Sequence, residues 1–243
     1  MMTNLHGLKC FFALALALAP LCAAHAETQA GEVLSLTGTM TVKTADGALK
    51  ALAAKGLVAA GDTLFTGRDS YARVHFTDGG EVTLRPNTQF MIEKYSYDEQ
   101  KPEKDGAGFS LLKGSLRALS GLISKRGNKD SYEMKTPAAT IGIRGTEYGL
   151  QVCNNDCDGL KMADGGVPPN GLSSQVDQGA VIQRNKGGDL LVEAGSFSYV
   201  SSANAAPLRV PATQALRIEI PSHIAKELER SAPARATQHC SPG

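Results

Sequence analysis

From Tyr71 to Ile92 the apolar residues fall on even positions. Ala72, Val74 and Phe76 alternate with Tyr71, Arg73 and His75, Val82 and Leu84 alternate with Glu81, Thr83 and Arg85, and Phe90 and Ile92 keep the parity. Successive side chains of a strand point to opposite faces, so the pattern predicts strands with one dry face and one wet face. Asp78-Gly79-Gly80 and Pro86-Asn87 punctuate the run as turns. Upstream, Leu34, Leu36, Met40 and Val42 share a parity. Downstream come short runs: Phe109 and Leu111 before Lys113-Gly114, Leu116 and Ala118 before Gly121, and Tyr132 and Met134 before Thr136-Pro137. Ile141 and Ile143 precede Gly145, Tyr148 to Val152 lead to a cysteine, and Ala180 to Tyr199 alternate around Lys186-Gly187-Gly188. Many short strands with glycine-rich corners predict an all-β domain, as a sandwich, barrel or solenoid. No repeat of fixed period is visible. The stretch LLKGSLRALSGLIS (111–124) has a helical look, but Gly114 and Gly121 argue against a helix at about 1 kcal/mol each.

Both ends differ from this middle. Residues 1–26 read as a secretory signal: Lys9, an apolar run from Cys10 to Ala19, Pro20, and the small-x-small site Ala24-His25-Ala26. The apolar run is short of the ~20 residues of a membrane span. The β domain is expected over 27–204. An Ala/Pro-rich, flexible tail follows over 205–243, with a short helix over 222–230 that Ser222 caps and that carries Ile224 and Leu228 on one face. An isolated helix of that length is unstable in water, so it either docks on the core or frays.

Composition narrows the function classes. Removing residues 1–26 takes away Lys9 and leaves basic and acidic residues balanced. That balance gives no support to nucleic acid or an anionic membrane surface as a partner. Trp is absent and aromatics are 5% of the chain, which counts against a sugar-stacking platform. Of the cysteines that remain, Cys153 and Cys157 are spaced for a small disulfide loop in an oxidising compartment, and Cys240 is left over.

The candidates for chemistry are few. His75 lies on a wet strand face, and His223 and His239 lie in the tail. The sequence holds no G-x-S-x-G, H-E-x-x-H or C-x-x-C motif. Asn154, Asp156 and Asp158, with Gly159, resemble the opening of a calcium loop, but position twelve is Gly165 where a Glu is needed. Asp98, Glu99, Glu103 and Asp105 alternate with lysines and read as a solvated loop. No metal or cofactor site is expected.

TPAATIGIRGTEY (136–148) holds a Gly-x-x-Gly around Arg144. A phosphate cradle would need a helix to start after it. Alternation resumes instead, so the stretch reads as strand, corner, strand. Ile141 and Ile143 fill the dry face, Gly142 leaves room for a neighbouring backbone, and Gly145 turns the chain at positive φ. Arg144 points away from the isoleucines, with Glu147 as a candidate partner.

Four segments together resemble the FecR domain. They are GDTLFTG (61–67) with Gly61, Asp62 and Gly67, FTDGGEVTLRPNT (76–88) with Asp78 and Gly79, LLKGSLRALSGLI (111–123), and TPAATIGIRGTEY. The last, with Thr136, Pro137, Ile141, Gly142, Ile143, Arg144, Gly145, Thr146 and Glu147, is the most specific. The most specific part of the resemblance runs over 61–152. It implies a twisted, β-solenoid-like or β-roll domain in the periplasm. In signalling members this domain relays the state of an outer-membrane transporter towards a cytoplasmic sigma factor. The present sequence shows neither the sigma-factor-binding helical region nor an internal membrane helix. Direct sigma-factor binding and stable membrane insertion are therefore not expected. The expectation is a non-enzymatic exported module, in the periplasm or at the cell surface, that binds an envelope or membrane protein in signalling or scaffolding. The alternative is a cell-wall or polysaccharide-binding module using Tyr71, Tyr95, Tyr97 and Tyr132.

Overall fold

The computed structural model describes residues 29–126 and 130–231. The expected signal over 1–26, His239 and Cys240 lie outside the described residues, as does the side chain of Arg144. Among the described residues the structure is mostly β, with one short α-helix. In chain order the strands are β1 (Gln29–Thr37), β2 (Met40–Lys43), β3 (Leu49–Leu52), β4 (Leu57–Ala59), β5 (Thr63–Thr66), β6 (Tyr71–Phe76), β7 (Glu81–Leu84) and β8 (Gln89–Ser96). Then come β9 (Gly106–Leu119), β10 (Tyr132–Lys135), β11 (Thr140–Cys153), β12 (Gly171–Asn185), β13 (Gly188–Glu193), β14 (Phe197–Val200) and β15 (Leu208–Val210), followed by the helix α1 (Ser222–Ser231).

The even-position rule holds throughout the middle. Ala72, Val74, Phe76, Val82, Leu84, Phe90 and Ile92 are all buried in one core. In β1 the parity breaks, because the pairing with β6 slips between Val33 and Ser35 and buries Val33 as well as Leu34. The stretch 111–124 is not a helix; it is the end of β9 and the turn after it.

The sequence suggests two short strands on either side of Gly114, and two more on either side of Gly145. Each pair is in fact one long strand bent in the middle. Gly114 has φ +82° and Gly145 has φ +58°, values that other residues adopt only with strain. Gly179 of β12, at φ +72°, bends opposite Gly145. The first half of β9 pairs with β8 and β10, and its second half with β7 and β11. Likewise β10 pairs with the first half of β11, and β11 pairs with β12 along nearly its whole length. The halves of β9, the halves of β11, and β10 therefore close into a ring of five strand segments.

Further strands extend this flattened barrel into two layers. The first layer runs β4, β1, β6, β7, then the second halves of β9 and β11, the first half of β12, β14 and β15. The second runs β3, β2, β5, β8, then the first half of β9, β10, the first half of β11, the second half of β12 and β13. Aromatic contacts join them: the rings of Phe76 and Phe109 are 5.1 Å apart, and the hydroxyls of Tyr132 and Tyr148 are 2.7 Å apart. Regular solenoid coils do not follow from this pairing, because β9–β10 is the only parallel ladder among the described residues.

The chain beyond 204 stays on the sheet as far as it is described. β15 pairs with β14, Ala215, Leu216 and Ile218 are buried, and α1 packs on β1 and β6 through Ile224 and Leu228.

Candidate interaction face

The motif residues hold turns and join one motif to another. Thr136 to Ala139 form the turn of the β10–β11 hairpin. The Thr136 hydroxyl donates to the Ala139 carbonyl at 2.8 Å and accepts its N–H at 3.0 Å, with Pro137 at the second turn position. The Asp78 carboxylate accepts the N–H groups of Gly80 at 3.0 Å and Ile123 at 3.2 Å. A Cβ on Gly121 would fall 2.3 Å from that carboxylate, so the second and third motifs lock together there. The Tyr95 hydroxyl accepts the Asp78 N–H at 3.0 Å; burial, and then the Asp78 charge, hold the phenol above its usual pKa. Asp62 accepts the Ala59 N–H at 2.8 Å, and Gly61 (φ +91°) and Gly79 (φ +82°) sit in the adjoining turns. The Gly67 carbonyl accepts the Asn87 N–H at 3.2 Å. Thr146 is buried, donating its N–H to Ser120 Oγ at 2.8 Å and its hydroxyl to the Ala180 carbonyl at 2.8 Å.

One expectation for this stretch needs correcting. Gly142 makes room for a side chain, not a backbone: a Cβ there would lie 3.1 Å from Ile182 Cγ2. Glu147 is engaged by Arg117, whose Nη2 lies 2.7 Å from Glu147 Oε1 and 2.8 Å from Asp177 Oδ2. Reasoning from sequence missed Arg117. Its signal was a cation between Leu116 and Ala118, at a wet-face position of the apolar run 111–123.

The outward side of the motif opens on a groove. Glu133, Gly142, Ile182 and Leu191 lie in register across β10, β11, β12 and β13. The groove has a volume of about 740 Å³, is open to solvent, and is also lined by Asp130 and Arg184. Leu191 is half exposed. The arrangement can take an extended or flat apolar surface bordered by charge.

The other candidates lie apart from this groove. Cys153 and Cys157 form a disulfide. Asp156 accepts the Asn154 N–H at 2.8 Å and sits 3.4 Å from Lys113 Nζ, while Asp158 is exposed; among the described residues no three His, Cys, Asp or Glu side chains gather as a metal site. His75 lies 3.4 Å from Glu81, and His223 is exposed on α1. Of the acids in 98–105, Asp105 is not solvated: its buried carboxylate meets Arg126 Nε at 2.9 Å. Tyr95 and Tyr132 belong to the core, and Arg126 covers the Tyr97 ring at 4.6 Å, so the four tyrosines do not form a stacking platform. Among the described residues no helix is long and apolar enough to cross a membrane.

Comparison with known proteins places these motifs. The family described as FecR protein matches residues 62–167. No curated protein matches the chain. Two crystal structures of a candidate anti-sigma factor from Parabacteroides distasonis align at 14% and 12% identity, with TM-scores of 0.45 and 0.43. Each alignment covers 61% of this chain and 58% of the other. A structure described as a cell surface anchoring domain aligns at 24% identity and TM-score 0.25, over 25% of this chain and 80% of its own.

Proposed function

We propose a function for this chain from the premise that it carries a FecR domain over residues 62–167. It acts as a non-enzymatic interaction module in signal transduction or scaffolding, and its partner is a protein of the cell envelope or membrane. The observation that carries this reading is the groove across β10–β13, where Ile182 and Leu191 meet water beside Glu133 and Arg184. The compartment is the periplasm or cell surface: the first 26 residues have the form of an export signal, and a disulfide such as Cys153–Cys157 persists in oxidising surroundings.

Photo-crosslinking of the purified chain in envelope fractions tests the proposal. The wild type should capture one dominant protein, and Ile182→Glu and Leu191→Glu should lose it while melting normally. Capture unchanged in both variants would remove the groove as the site. Capture of glycan alone by the wild type would remove the protein-interaction reading.

A further inference from the structure

The segment after residue 214 crosses the outward face of the first layer. Leu216 and Ile218 point into that face and Arg217 and Glu219 away from it, the alternation of an extended chain. Ile218 is fully buried. It sits over a gap at Gly149, where an added Cβ would come within 2.9 Å of the Ile218 side chain. Gly149 lies in register between Arg117 of β9 and Gln175 of β12. These two neighbours grip the Ile218 main chain: its N–H donates to Gln175 Oε1 at 2.9 Å, and Arg117 Nη1 donates to its carbonyl at 2.9 Å. Asp177 steadies both, accepting from Gln175 Nε2 at 2.8 Å and from Arg117 Nη2 at 2.8 Å. Three strands thus present a side-chain acceptor and a side-chain donor for one main chain, and a slot for one branched side chain.

The resident segment fills only the middle of this lane. Beyond Leu216 lies a cavity of about 200 Å³, lined by Phe197, Tyr199 and Met162. Beyond Ile220 lies another of about 260 Å³, between Arg73, Thr83 and Arg117 on the sheet and Ala225 on α1. The lane does not depend on this occupant for charge balance, since Arg117 keeps Glu147 and Asp177 when the segment leaves.

We propose that the Arg117–Gly149–Gln175 lane is a peptide-binding site whose resident ligand is the chain's own segment 215–220. It exchanges that segment for an extended segment of the partner protein, with a branched aliphatic residue in the Ile218 place. The proposal rests on the interaction-module reading and adds a second contact for that partner, on the other layer from the groove, and what holds it closed. Side-chain grips on a main chain recognise extended peptide generally, while the Gly149 gap selects the side chain.

The test uses the full chain and a fluorescein-labelled peptide of residues 214–222. Ile218→Asp should free the lane and bind the peptide at least tenfold more tightly than wild type, whose own segment competes. Gly149→Leu added to Ile218→Asp should abolish that binding. An Ile218→Asp chain that melts cooperatively yet ignores the peptide overturns the proposal. Native-state hydrogen exchange on the wild type gives a second test that needs no variant. The Ile218 amide should exchange by local opening, at lower denaturant than the β11 amides. Exchange of Ile218 only with global unfolding also overturns the proposal. If the lane fails while envelope capture persists and is lost in Ile182→Glu, the interaction-module reading stands without it; if capture fails too, both fall.

Discussion

At Gly145 the backbone conformation alone demands glycine. An added Cβ would meet nothing closer than 3.9 Å, yet φ is +58°. Left-handed backbone costs an ordinary residue about 1–2 kcal/mol, and a β-branched residue more. Gly145→Val should therefore cost a few kcal/mol, and Gly145→Asn about 1 kcal/mol or less, because Asn tolerates this region. Thermal melting of the two variants checks the order; equal melting temperatures would show that the bend does not need positive φ. The role of Gly145 was legible in the sequence because a glycine between two alternating runs has few other uses. Gly142 and Gly149 were not legible. What each makes room for, Ile182 and Ile218, comes from a strand or segment distant in sequence, and alternation says nothing about which strands are neighbours.

At the scale of elements, the strands were read well and their lengths were not. The dry face of β6, β7 and β8 follows from side-chain period alone. The continuity of β9 through Gly114 does not, since a glycine that bends a strand looks like one that ends it. The charged loop 98–105 departs from a solvated loop at Asp105 alone, for a related reason: its anchor is 21 residues further on. Arg126 pairs with the buried Asp105 carboxylate and donates to the carbonyls of Glu99 and Asp98 at 2.9 and 2.8 Å. Arg126→Ala leaves that carboxylate buried without its cation and should cost roughly 3 kcal/mol, read as a shift in denaturant midpoint. An unchanged midpoint would mean that the loop does not need the clamp.

A second cross-strand group, Glu93, Ser110 and Lys135, spans β8, β9 and β10. Glu93 accepts from Ser110 Oγ at 2.6 Å and from Lys135 Nζ at 2.7 Å. Burial pushes the Glu93 carboxyl up, but the Lys135 and Ser110 hydrogen bonds outweigh it and hold the pKa below its usual 4.5. The unfolded chain then binds the proton more readily than the folded one. The contribution is complete above about pH 4.5 and is lost as pH falls through the lower folded value. Lys135 is raised above its usual 10.5, chiefly by the Glu93 hydrogen bond, so its contribution is lost only as pH rises beyond that value. Glu93→Gln should reduce the stability difference between pH 6 and pH 3 by a few tenths of a kcal/mol, the modest worth of a partly exposed pair. Identical acid limbs for the variant and the wild type would remove Glu93 from the account.

The whole molecule has two layers but not two folding units. β9, β11 and β12 each belong to both layers, so neither layer can keep its ladders if the other melts. The core gives no line of separation either, because Phe76 of the first layer stacks among Tyr95 and Phe109 of the second, and the Tyr132–Tyr148 bond is buried between them. Opening one layer would expose apolar surface at about 25 cal/mol per Å² and strand two phenols without partners. Local opening is thus confined to elements that cross no bend, among them β3 at one end and the segment carrying Ile218 and α1. Hydrogen exchange in denaturant should give β6 of the first layer and β8 of the second one opening free energy and one denaturant slope, with the 215–231 segment opening below both. Distinct slopes for β6 and β8 would mean that the bends at Gly114 and Gly145 act as hinges between independent sheets. In that case a partner bound at the Gly149 lane on one layer would have no mechanical route to the Gly142 groove on the other. A single slope makes the two faces parts of one rigid body.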